Sequence, residues 1–275
     1  MRRRLAVAAL CLLALAPGAA AKPRVVSINM CTDQLVLALA DREQILGLSH
    51  LAADPALSWH WRQAGGLPAL AGQAEEVLPL KADLVMTATL ARAQTRALLT
   101  RQGQRVETFA SALTIGEVKA QIAQAGQLLA QEERATAANA RIDAALARLR
   151  SAGHGRALRI LPLERRGWVS GRDSLIADVL AQAGVTNLGA GASAGGALIS
   201  LERLVSLRPD ALLLSSGNAG AEDQGGALLH HPALRRMAPV RRRLVIPQAM
   251  TVCAGPMLAE ALDRLADELT RLAPR

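Results

Sequence analysis

The chain contains a degenerate internal repeat. Residues 75–83 (EEVLPLKAD) align with residues 202–210 (ERLVSLRPD) at a constant offset of 127, and each block runs into an apolar segment typical of a buried strand. A second pair, residues 32–36 (TDQLV) and residues 172–176 (RDSLI), matches at an offset of 140. Because both matches occur in the same order, we predict two copies of one structural unit. The difference of 13 between the offsets predicts an insertion around residues 54–61 of the first copy.

Short apolar segments alternate with helical patterns in both copies. Strands that alternate with helices form parallel sheets covered by helices on both faces. We therefore predict an α/β fold with two Rossmann-like lobes. The predicted strands are residues 25–28, 45–48, 84–87 and 106–109 in the first copy, and residues 158–163 and 244–246 at the two ends of the second copy.

A long helical segment separates the two copies. Residues 116–150 contain no proline and place apolar side chains at helical spacing. We predict one continuous helix over these 35 residues, with a length of about 50 Å. This gives a first lobe of residues 22–113, a linker of residues 114–151 and a second lobe of residues 152–275, with a ligand cleft between the lobes. Bending a helix breaks backbone hydrogen bonds, so we expect the cleft to close only slightly on ligand binding.

The first 21 residues are typical of a signal peptide. Arg2–Arg4 form a positive segment, and the apolar run of residues 5–15 that follows is too short to span a bilayer. Ala19–Ala21 supply the small residues that a signal peptidase recognises. We therefore predict residues 1–21 to be a signal peptide that is cleaved after Ala21, and we expect the mature chain to be exported.

Charge and hydropathy argue against nucleic-acid binding and against stable insertion in a membrane. Without the three N-terminal arginines, 29 basic and 23 acidic residues remain, and the excess of about +6 is scattered except at Arg241–Arg243. A nucleic-acid interface combines a basic stripe with stacking aromatic side chains, whereas this chain has only four aromatic residues. No stretch of the mature chain reaches the 18 apolar residues that a membrane-spanning helix requires.

Side chains that follow predicted strands are the candidates for ligand contact, because parallel α/β sheets bind ligands beyond the carboxyl ends of their strands. The tryptophans favour a large, flat or apolar ligand, since indole supplies contact area at little conformational cost; alternatively, each fills the base of its loop. The adjacent arginines would clamp a carboxylate or phosphate, or else form a solvated pair on a rim. The predicted ligand-binding residues are Asn29, Trp59, Trp61, Arg165, Arg166, Trp168 and Cys253.

Two cysteines remain in the predicted mature chain, and each follows a predicted strand. Cys31 follows the first strand of one lobe and Cys253 the last strand of the other, so both are expected near the cleft. An oxidising compartment permits a disulfide between them. The residues alone leave three alternatives open: that disulfide, two inert thiols, or ligand contact by the thiols.

The order and spacing of several segments resemble the helix-linked periplasmic binding proteins that serve ABC importers of cobalamin, ferric siderophores and haem. The resemblance implies a monomer in the periplasm that captures a metal chelate and delivers it to an inner-membrane permease without catalysis. The ligand would carry its own iron or cobalt, so no resident metal or cofactor is expected; the lack of any tyrosine disfavours haem. The segments that carry the resemblance are residues 24–29, 75–85, 168–171, 202–213 and 253–256, together with the long linker.

The same resemblance assigns a role to Glu75 and Glu202, which occupy equivalent positions of the repeat. Family members present one glutamate per lobe to arginines of the two permease subunits, so these two residues are the expected docking contacts. An alternative needs no partner, because a carboxylate in the first turn of a helix is favoured by the helix dipole.

A secreted α/β-hydrolase is the alternative from another functional class. The segment GASAG satisfies the pattern of a nucleophile elbow around Ser193, and Asp210 or Asp223, then His230 or His231, follow in the order of a catalytic triad. A nucleophile elbow requires a buried strand before the serine and a helix directly after it. The small residues around Ser193 predict a loop instead, which disfavours this alternative.

Overall fold

The computed structural model describes residues 21–215 and 227–272. The predicted signal peptide therefore lies almost wholly outside the described residues, as does Asp223 of the hydrolase alternative. None of the helices in the described segments has the length and apolar character needed to cross a bilayer.

The described residues form eleven strands and eleven helices. The strands are β1 Val25–Ser27, β2 Ile45–Ser49, β3 Ala69–Leu70, β4 Leu84–Ala88, β5 Val106–Phe109, β6 Arg159–Pro162, β7 Trp168–Ser170, β8 Thr186–Asn187, β9 Gly196–Leu198, β10 Ala211–Ser215 and β11 Arg243–Ile246. The helices are α1 Met30–Leu39, α2 Trp61–Ala64, α3 Ala74–Val77, α4 Ala93–Arg101, α5 Ile115–Leu129, α6 Glu132–Gly153, α7 Leu175–Gln182, α8 Leu201–Ser206, α9 Pro232–Met237, α10 Gln248–Thr251 and α11 Leu258–Arg271.

Each lobe is built on a parallel sheet. The first has the strand order β3-β2-β1-β4-β5 and the second has the order β8-β6-β10-β11. Consecutive residues of the central strands, such as Val25 and Val26 or Leu84–Met86, are all fully buried because helices cover both faces of the sheet. Strands β8, β6, β10 and β11 of the second lobe thus correspond in order to β2, β1, β4 and β5 of the first lobe. The predicted α/β fold with two lobes is thus confirmed, and β7 and β9 form a separate antiparallel pair.

The two copies of the repeat also agree in their hydrogen bonds. The Asp83 carboxylate accepts a hydrogen bond from the Arg24 N–H (2.7 Å), and the Asp83 N–H donates to the Arg24 carbonyl (2.9 Å). At the equivalent place of the second lobe, the Asp210 carboxylate accepts from the Arg159 N–H (2.9 Å), and the Asp210 N–H donates to the Arg159 carbonyl (2.8 Å). One aspartate per lobe therefore anchors the start of the first strand to the start of its neighbour.

The second predicted match, residues 32–36 with residues 172–176, is not exact in the structure. All of residues 32–36 lie within α1, whereas α7 begins only at Leu175. Both copies place a helix before β2 or β8, but the helices begin at different points of the aligned segments. Asp33 is consequently buried in α1, whereas Asp173 is exposed before α7.

The prediction of one continuous helix over residues 116–150 is wrong, because the structure divides this stretch into α5 and α6. Ala130 adopts a left-handed conformation with φ 53°, and the Gln131 N–H donates to the Gly126 carbonyl (2.7 Å). This bond ends α5 in a Schellman motif, a helix end at which glycine usually occupies the left-handed position. The sequence therefore gives no sign of this helix end, because alanine and not glycine occupies the left-handed position.

Two antiparallel helices therefore connect the lobes. At one end of α5, the Leu129 carbonyl accepts a hydrogen bond from Gln44 of the first lobe (2.9 Å). At the other end, the Ile115 N–H donates to Asp178 of the second lobe (2.8 Å). Helix α6 returns alongside α5, with a length of about 33 Å, and packs on α11. One hydrophobic cluster runs from the first lobe through both helices into the second lobe. The exact lobe boundaries stay predictions.

Candidate ligand-binding cleft

Two adjacent cavities lie at the carboxyl ends of the strands. The interlobe cavity, of about 350 Å³, is lined from both lobes, and the second-lobe cavity, of about 330 Å³, is lined from the second lobe alone. Thr251 and Val252 border both cavities. This is the edge of the sheets where the alternation of strands and helices predicts a binding site.

A disulfide bond joins Cys31 to Cys253 across the cleft. Their Cα atoms are 5.1 Å apart, and both residues line the interlobe cavity. Of the three alternatives that the residues left open, the disulfide is the one that the structure contains. Cys253 is therefore part of the cavity wall, and its predicted contact with the ligand cannot involve a free thiol.

Asn29 lines the interlobe cavity at the start of α1. Its side-chain oxygen accepts a hydrogen bond from the Cys31 N–H (2.9 Å) and so caps the helix. Nearby, the hydroxyls of Ser27 and Thr32 lie 2.7 Å apart, and the Thr32 hydroxyl donates to the Asn29 carbonyl (3.0 Å). The capping bond fixes the orientation of Asn29 next to the disulfide.

Trp168 lies on β7, and 41% of its surface is exposed. It pairs with Leu198 of β9, which is 60% exposed. Side chains two residues apart on a strand point to the same face, so Trp168 shares a face with Ser170, which lines the second-lobe cavity. The intervening Val169 is buried on the opposite face. Trp168 itself does not line either of the two cavities, but its indole is exposed on the strand face that Ser170 shares.

Glu164 lines the second-lobe cavity, and sequence reasoning missed it. It lies two residues after the end of the first strand of the second lobe, next to Arg165 and Arg166, which were predicted to bind the ligand. Burial raises the pKa of the Glu164 carboxyl above its ordinary value. Neither arginine lines the two cavities; Arg165 is half-buried, and Arg166 is exposed in a left-handed turn with φ 60°.

Trp59 and Trp61 both lie within the predicted insertion and are half-buried, and neither lines the two cavities. The insertion is held on α1, because Gln34 donates a hydrogen bond to the Ser58 hydroxyl (2.8 Å). The Arg62 guanidinium lies 4.4 Å from the centre of the Trp61 ring and covers one of its faces. Ligand contact by these two tryptophans stays a prediction.

The cavities are lined mainly by short polar and aliphatic side chains, most of which the sequence did not single out. Ser170 ends a strand, and Ser174 and Gln248 begin helices, which is the signal that could have identified these three. Gln121 lies in the middle of α5, where no such signal exists. Sequence patterns do not reveal which of these side chains turn toward a cavity. The polar lining residues that were missed are Ser170, Ser174 and Gln248 in the second-lobe cavity, and Thr32, Ser111 and Gln121 in the interlobe cavity.

Glu75 and Glu202 occupy matching positions in the structure. Each is exposed, and each is the second residue of a short helix, α3 or α8. The pKa of Glu202 is lowered, chiefly by a hydrogen bond with the Ser200 side chain. Its carboxylate is therefore charged at neutral pH.

Ser193 does not lie in a nucleophile elbow. It sits between a short 3₁₀ turn at residues 188–191 and strand β9, with no helix directly after it. Its hydroxyl accepts a hydrogen bond from the Gly196 N–H (3.0 Å) and donates to the Gly196 carbonyl. The Ser193 side chain therefore stabilises a turn. Within residues 21–215 and 227–272, no group of three or more His, Cys, Asp and Glu residues is placed to hold a metal ion.

Two equivalent α/β lobes around a cleft, joined by long helices, define a bilobal solute-binding protein. A family model described as periplasmic binding protein matches residues 25–247, and the chain belongs to this family. The family consists of binding proteins rather than enzymes. A comparison with curated proteins found no match.

Several solved structures share the fold over nearly the whole chain. The periplasmic heme-binding protein RhuT from Roseiflexus sp. RS-1 superposes with a TM-score of 0.73 at 24% identity, covering 92% of this chain and 100% of that one. A periplasmic heme-binding protein from Pseudomonas aeruginosa gives 0.71 at 26% identity, covering 92% and 95%. The vitamin B12 binding protein BtuF of Vibrio cholerae gives 0.67 at 16% identity, covering 90% and 96%.

Proposed function

We propose that this protein captures a metal chelate, a ferric siderophore or cobalamin, in its cleft and delivers it to the permease of an ABC importer. The observation that carries the proposal is the pair of cavities between and beside the two equivalent lobes, at the carboxyl ends of their strands. Ligands of open α/β sheets bind at this edge. Family membership supports the same role.

The chemistry of the cavity walls suits a chelate whose metal is already saturated by its own ligand atoms. Asn29, Ser170, Ser174 and Gln248 offer hydroxyl and amide groups, which form hydrogen bonds with the periphery of such a ligand. The exposed indole of Trp168, on the strand face that Ser170 shares, would add a flat apolar surface. No protein-bound metal or other cofactor enters this proposal, since the iron or cobalt would arrive inside the chelate.

Haem is the second candidate, because the Roseiflexus and Pseudomonas proteins are both described as heme-binding. Free haem iron has open axial positions that proteins fill with histidine, cysteine, methionine or tyrosine. This chain has no tyrosine, its two cleft cysteines are joined in the disulfide, and no histidine or methionine among the described residues lines the two cavities. We therefore favour a saturated chelate over haem.

A fluorescence titration tests the cargo. The purified protein is titrated with cyanocobalamin, hydroxamate and catecholate ferric siderophores, and haem, and quenching of tryptophan fluorescence is followed together with the Soret band of haem. We expect saturable quenching by one chelate class and an affinity about tenfold weaker in Trp168→Ala, equivalent to about 1.4 kcal/mol.

The matched control is Val240→Ala, which removes an 84% exposed apolar side chain at the opposite edge of the second sheet. It should leave the affinity for the chelate unchanged. Saturable binding of haem alone, with a shifted Soret band, would move the assignment to haem. Binding of none of these compounds would contradict the proposed function.

We further propose that Glu75 and Glu202 contact the permease. The docking role is supported by their positions, since both are exposed at the second residue of equivalent helices, one in each lobe. Two such carboxylates suit a permease with two-fold symmetry. Glu75→Ala with Glu202→Ala should abolish chelate uptake into proteoliposomes that contain the cognate permease, while chelate affinity stays unchanged.

The control pair is Glu43→Ala with Glu133→Ala, which removes two exposed carboxylates, each also at the second residue of a helical turn. Normal uptake with the control pair and none with the docking pair would support the assignment. Loss of chelate binding in the docking pair, or equal loss of uptake in both pairs, would refute it.

Export and a monomeric state complete the proposal. Cleavage of the signal peptide after Ala21 would leave Lys22 at the N-terminus of the periplasmic protein. N-terminal sequencing of the protein from a periplasmic extract tests the cleavage, and light scattering with and without chelate tests the monomer. An uncleaved N-terminus in the membrane fraction would contradict the first expectation, and a stable dimer the second.

A further inference from the structure

The largest of the three cavities described lies at the opposite edge of the second lobe from the cleft. It has a volume of about 820 Å³, more than twice that of either cleft cavity. Its walls come from the segments that lead into β6, β10 and β11 and from the end of α11. This cavity, which we call the basal cavity, therefore faces away from the candidate ligand site.

Positive charge dominates the basal cavity. Five arginines line it against a single carboxylate, that of Asp210, which already accepts a hydrogen bond from the Arg159 N–H. Glu268, just outside the cavity, pairs with Arg271, so five arginines less these two carboxylates leave an excess of about three positive charges on one concave surface, and like charges so close repel one another. A bound anion would relieve this repulsion. The five arginines are Arg156, Arg159, Arg241, Arg242 and Arg271.

Three of the arginines are held in place by the fold. Arg156 donates to the Leu269 and Leu272 carbonyls at the end of α11 (2.6 and 3.0 Å). Arg159 donates to the Leu207 carbonyl (3.0 Å), and Arg271 pairs with Glu268 of its own helix. Each guanidinium has five N–H donors, so these bonds orient the groups while leaving donors for a ligand.

The other two arginines are not held in this way. Within the described residues, the side chains of Arg241 and Arg242 form no hydrogen bond or ion pair; Arg241 is exposed and Arg242 is half-buried. They sit in the turn that leads into β11, next to the fixed guanidinium of Arg271, which donates to the Arg241 carbonyl (3.1 Å). The site is therefore partly preorganised: three guanidinium groups are already oriented, and those of Arg241 and Arg242 can turn toward a ligand.

We propose that the basal cavity binds a compact polyanion that carries two or more phosphate groups. The planar fork of arginine matches the oxygens of a phosphate in a bidentate arrangement, and several such forks around one cavity match several phosphates. The basal cavity is large enough for more than one phosphate group, whereas a site for a single anion would be smaller. Free oligophosphates and the phosphates of a lipid headgroup share this chemistry, and the experiment separates the two sources.

Isothermal titration calorimetry with inorganic tripolyphosphate tests the site, on the full mature protein at about 0.15 M salt, where interactions between exposed charges are screened beyond about 8 Å. We expect one saturable site, and at least tenfold weaker binding in the variant Arg241→Gln with Arg242→Gln. Both residues are at the surface, so the variant is expected to fold, and its thermal unfolding is measured alongside.

The matched control is Arg235→Gln with Arg236→Gln, an adjacent pair of exposed arginines on α9 that lie in the same lobe but do not line the basal cavity. It changes the net charge equally and should alter the affinity less than threefold. A parallel sedimentation assay uses vesicles that contain phosphatidylglycerol.

Binding of tripolyphosphate supports a soluble ligand, and binding of vesicles alone, lost in the Arg241 and Arg242 variant, supports a lipid headgroup. Binding of neither probe overturns the proposal, and so does an equal loss of binding in the control pair. The proposal is independent of the cleft, and its failure would leave the chelate-binding assignment untouched.

Discussion

Asp33, next to the cavity-lining Thr32, is a buried carboxyl group with a strongly raised pKa. It is fully buried in α1, where its carboxylate accepts hydrogen bonds from the Ser49 hydroxyl and from the Ser49 N–H (3.2 Å). Removal from water disfavours the charged form more than these bonds favour it, and the pKa of Asp33 is raised from 3.8 to about 7. Asp33 thus takes up a proton as the pH falls through the physiological range.

The raised pKa of Asp33 predicts how stability depends on pH. Between about pH 4 and pH 7 the native state keeps a proton that the unfolded state has released, so this group lowers the free energy of unfolding as pH rises through that window. The loss is on the order of 2–4 kcal/mol and is complete above pH 7. In Asp33→Asn this contribution should vanish, so that urea unfolding at pH 5 and pH 8 differs less than in the wild type.

The control for this experiment is Asp173→Asn, at the aligned position of the second half, where the aspartate is exposed. It should keep the pH dependence of the wild type. If Asp33→Asn also keeps it, then Asp33 does not hold a proton in the native state at neutral pH.

The contact between α5 and α6 depends on small residues. Gly126 of α5 faces Ala135 of α6, and a Cβ atom at Gly126 would lie only 2.4 Å from the Ala135 Cβ. The two helices are close because neither residue carries a larger side chain. The ion pair between the two helices, Lys119 of α5 with Asp143 of α6 (2.6 Å), is partly exposed and adds little to this packing.

We expect Gly126→Val to destabilise the protein by about 2–3 kcal/mol, because the added side chain forces α5 and α6 apart. The control lies in the same helix: Gly116→Ala meets no neighbour closer than 3.8 Å and should change stability by less than about 1 kcal/mol. Chemical unfolding of both variants measures the difference. Equal effects of the two substitutions would show that the close approach at Gly126 does not hold the helices together.

Elements that depend on local pattern and on the repeat could be predicted from sequence, whereas those set by a single backbone angle or by side-chain orientation could not. The strand at residues 84–87 was predicted because it begins with an apolar run and because the second block of the repeat also leads into an apolar run, at residues 211–214. The break at Ala130 was missed because alanine gives no stop signal. Glu164 was missed because only tertiary structure shows that it faces a cavity.

At the scale of the whole molecule, three restraints act on the cleft. Helices α5 and α6 connect the lobes, a continuous hydrophobic cluster runs through them, and the Cys31–Cys253 disulfide joins the lobes at the cavity wall itself. A hinge that is restrained by helices and by a covalent bond at the cleft permits little opening. The disulfide is thus a further reason, besides the helical linker, to expect that the lobes close only slightly on ligand binding.

Removal of the disulfide tests how far it determines both stability and affinity. The bond closes a loop of 222 residues, and such a cross-link stabilises a fold by about 2–5 kcal/mol, mainly because it restricts the unfolded chain. Cys31→Ala with Cys253→Ala should lose that amount in urea unfolding, and should bind the chelate about tenfold more weakly because the open lobes are less preorganised. Dithiothreitol should bring the wild type to the same values and leave the variant unchanged. If the variant matches the oxidised wild type in affinity but not in stability, the helices alone position the two lobes for binding.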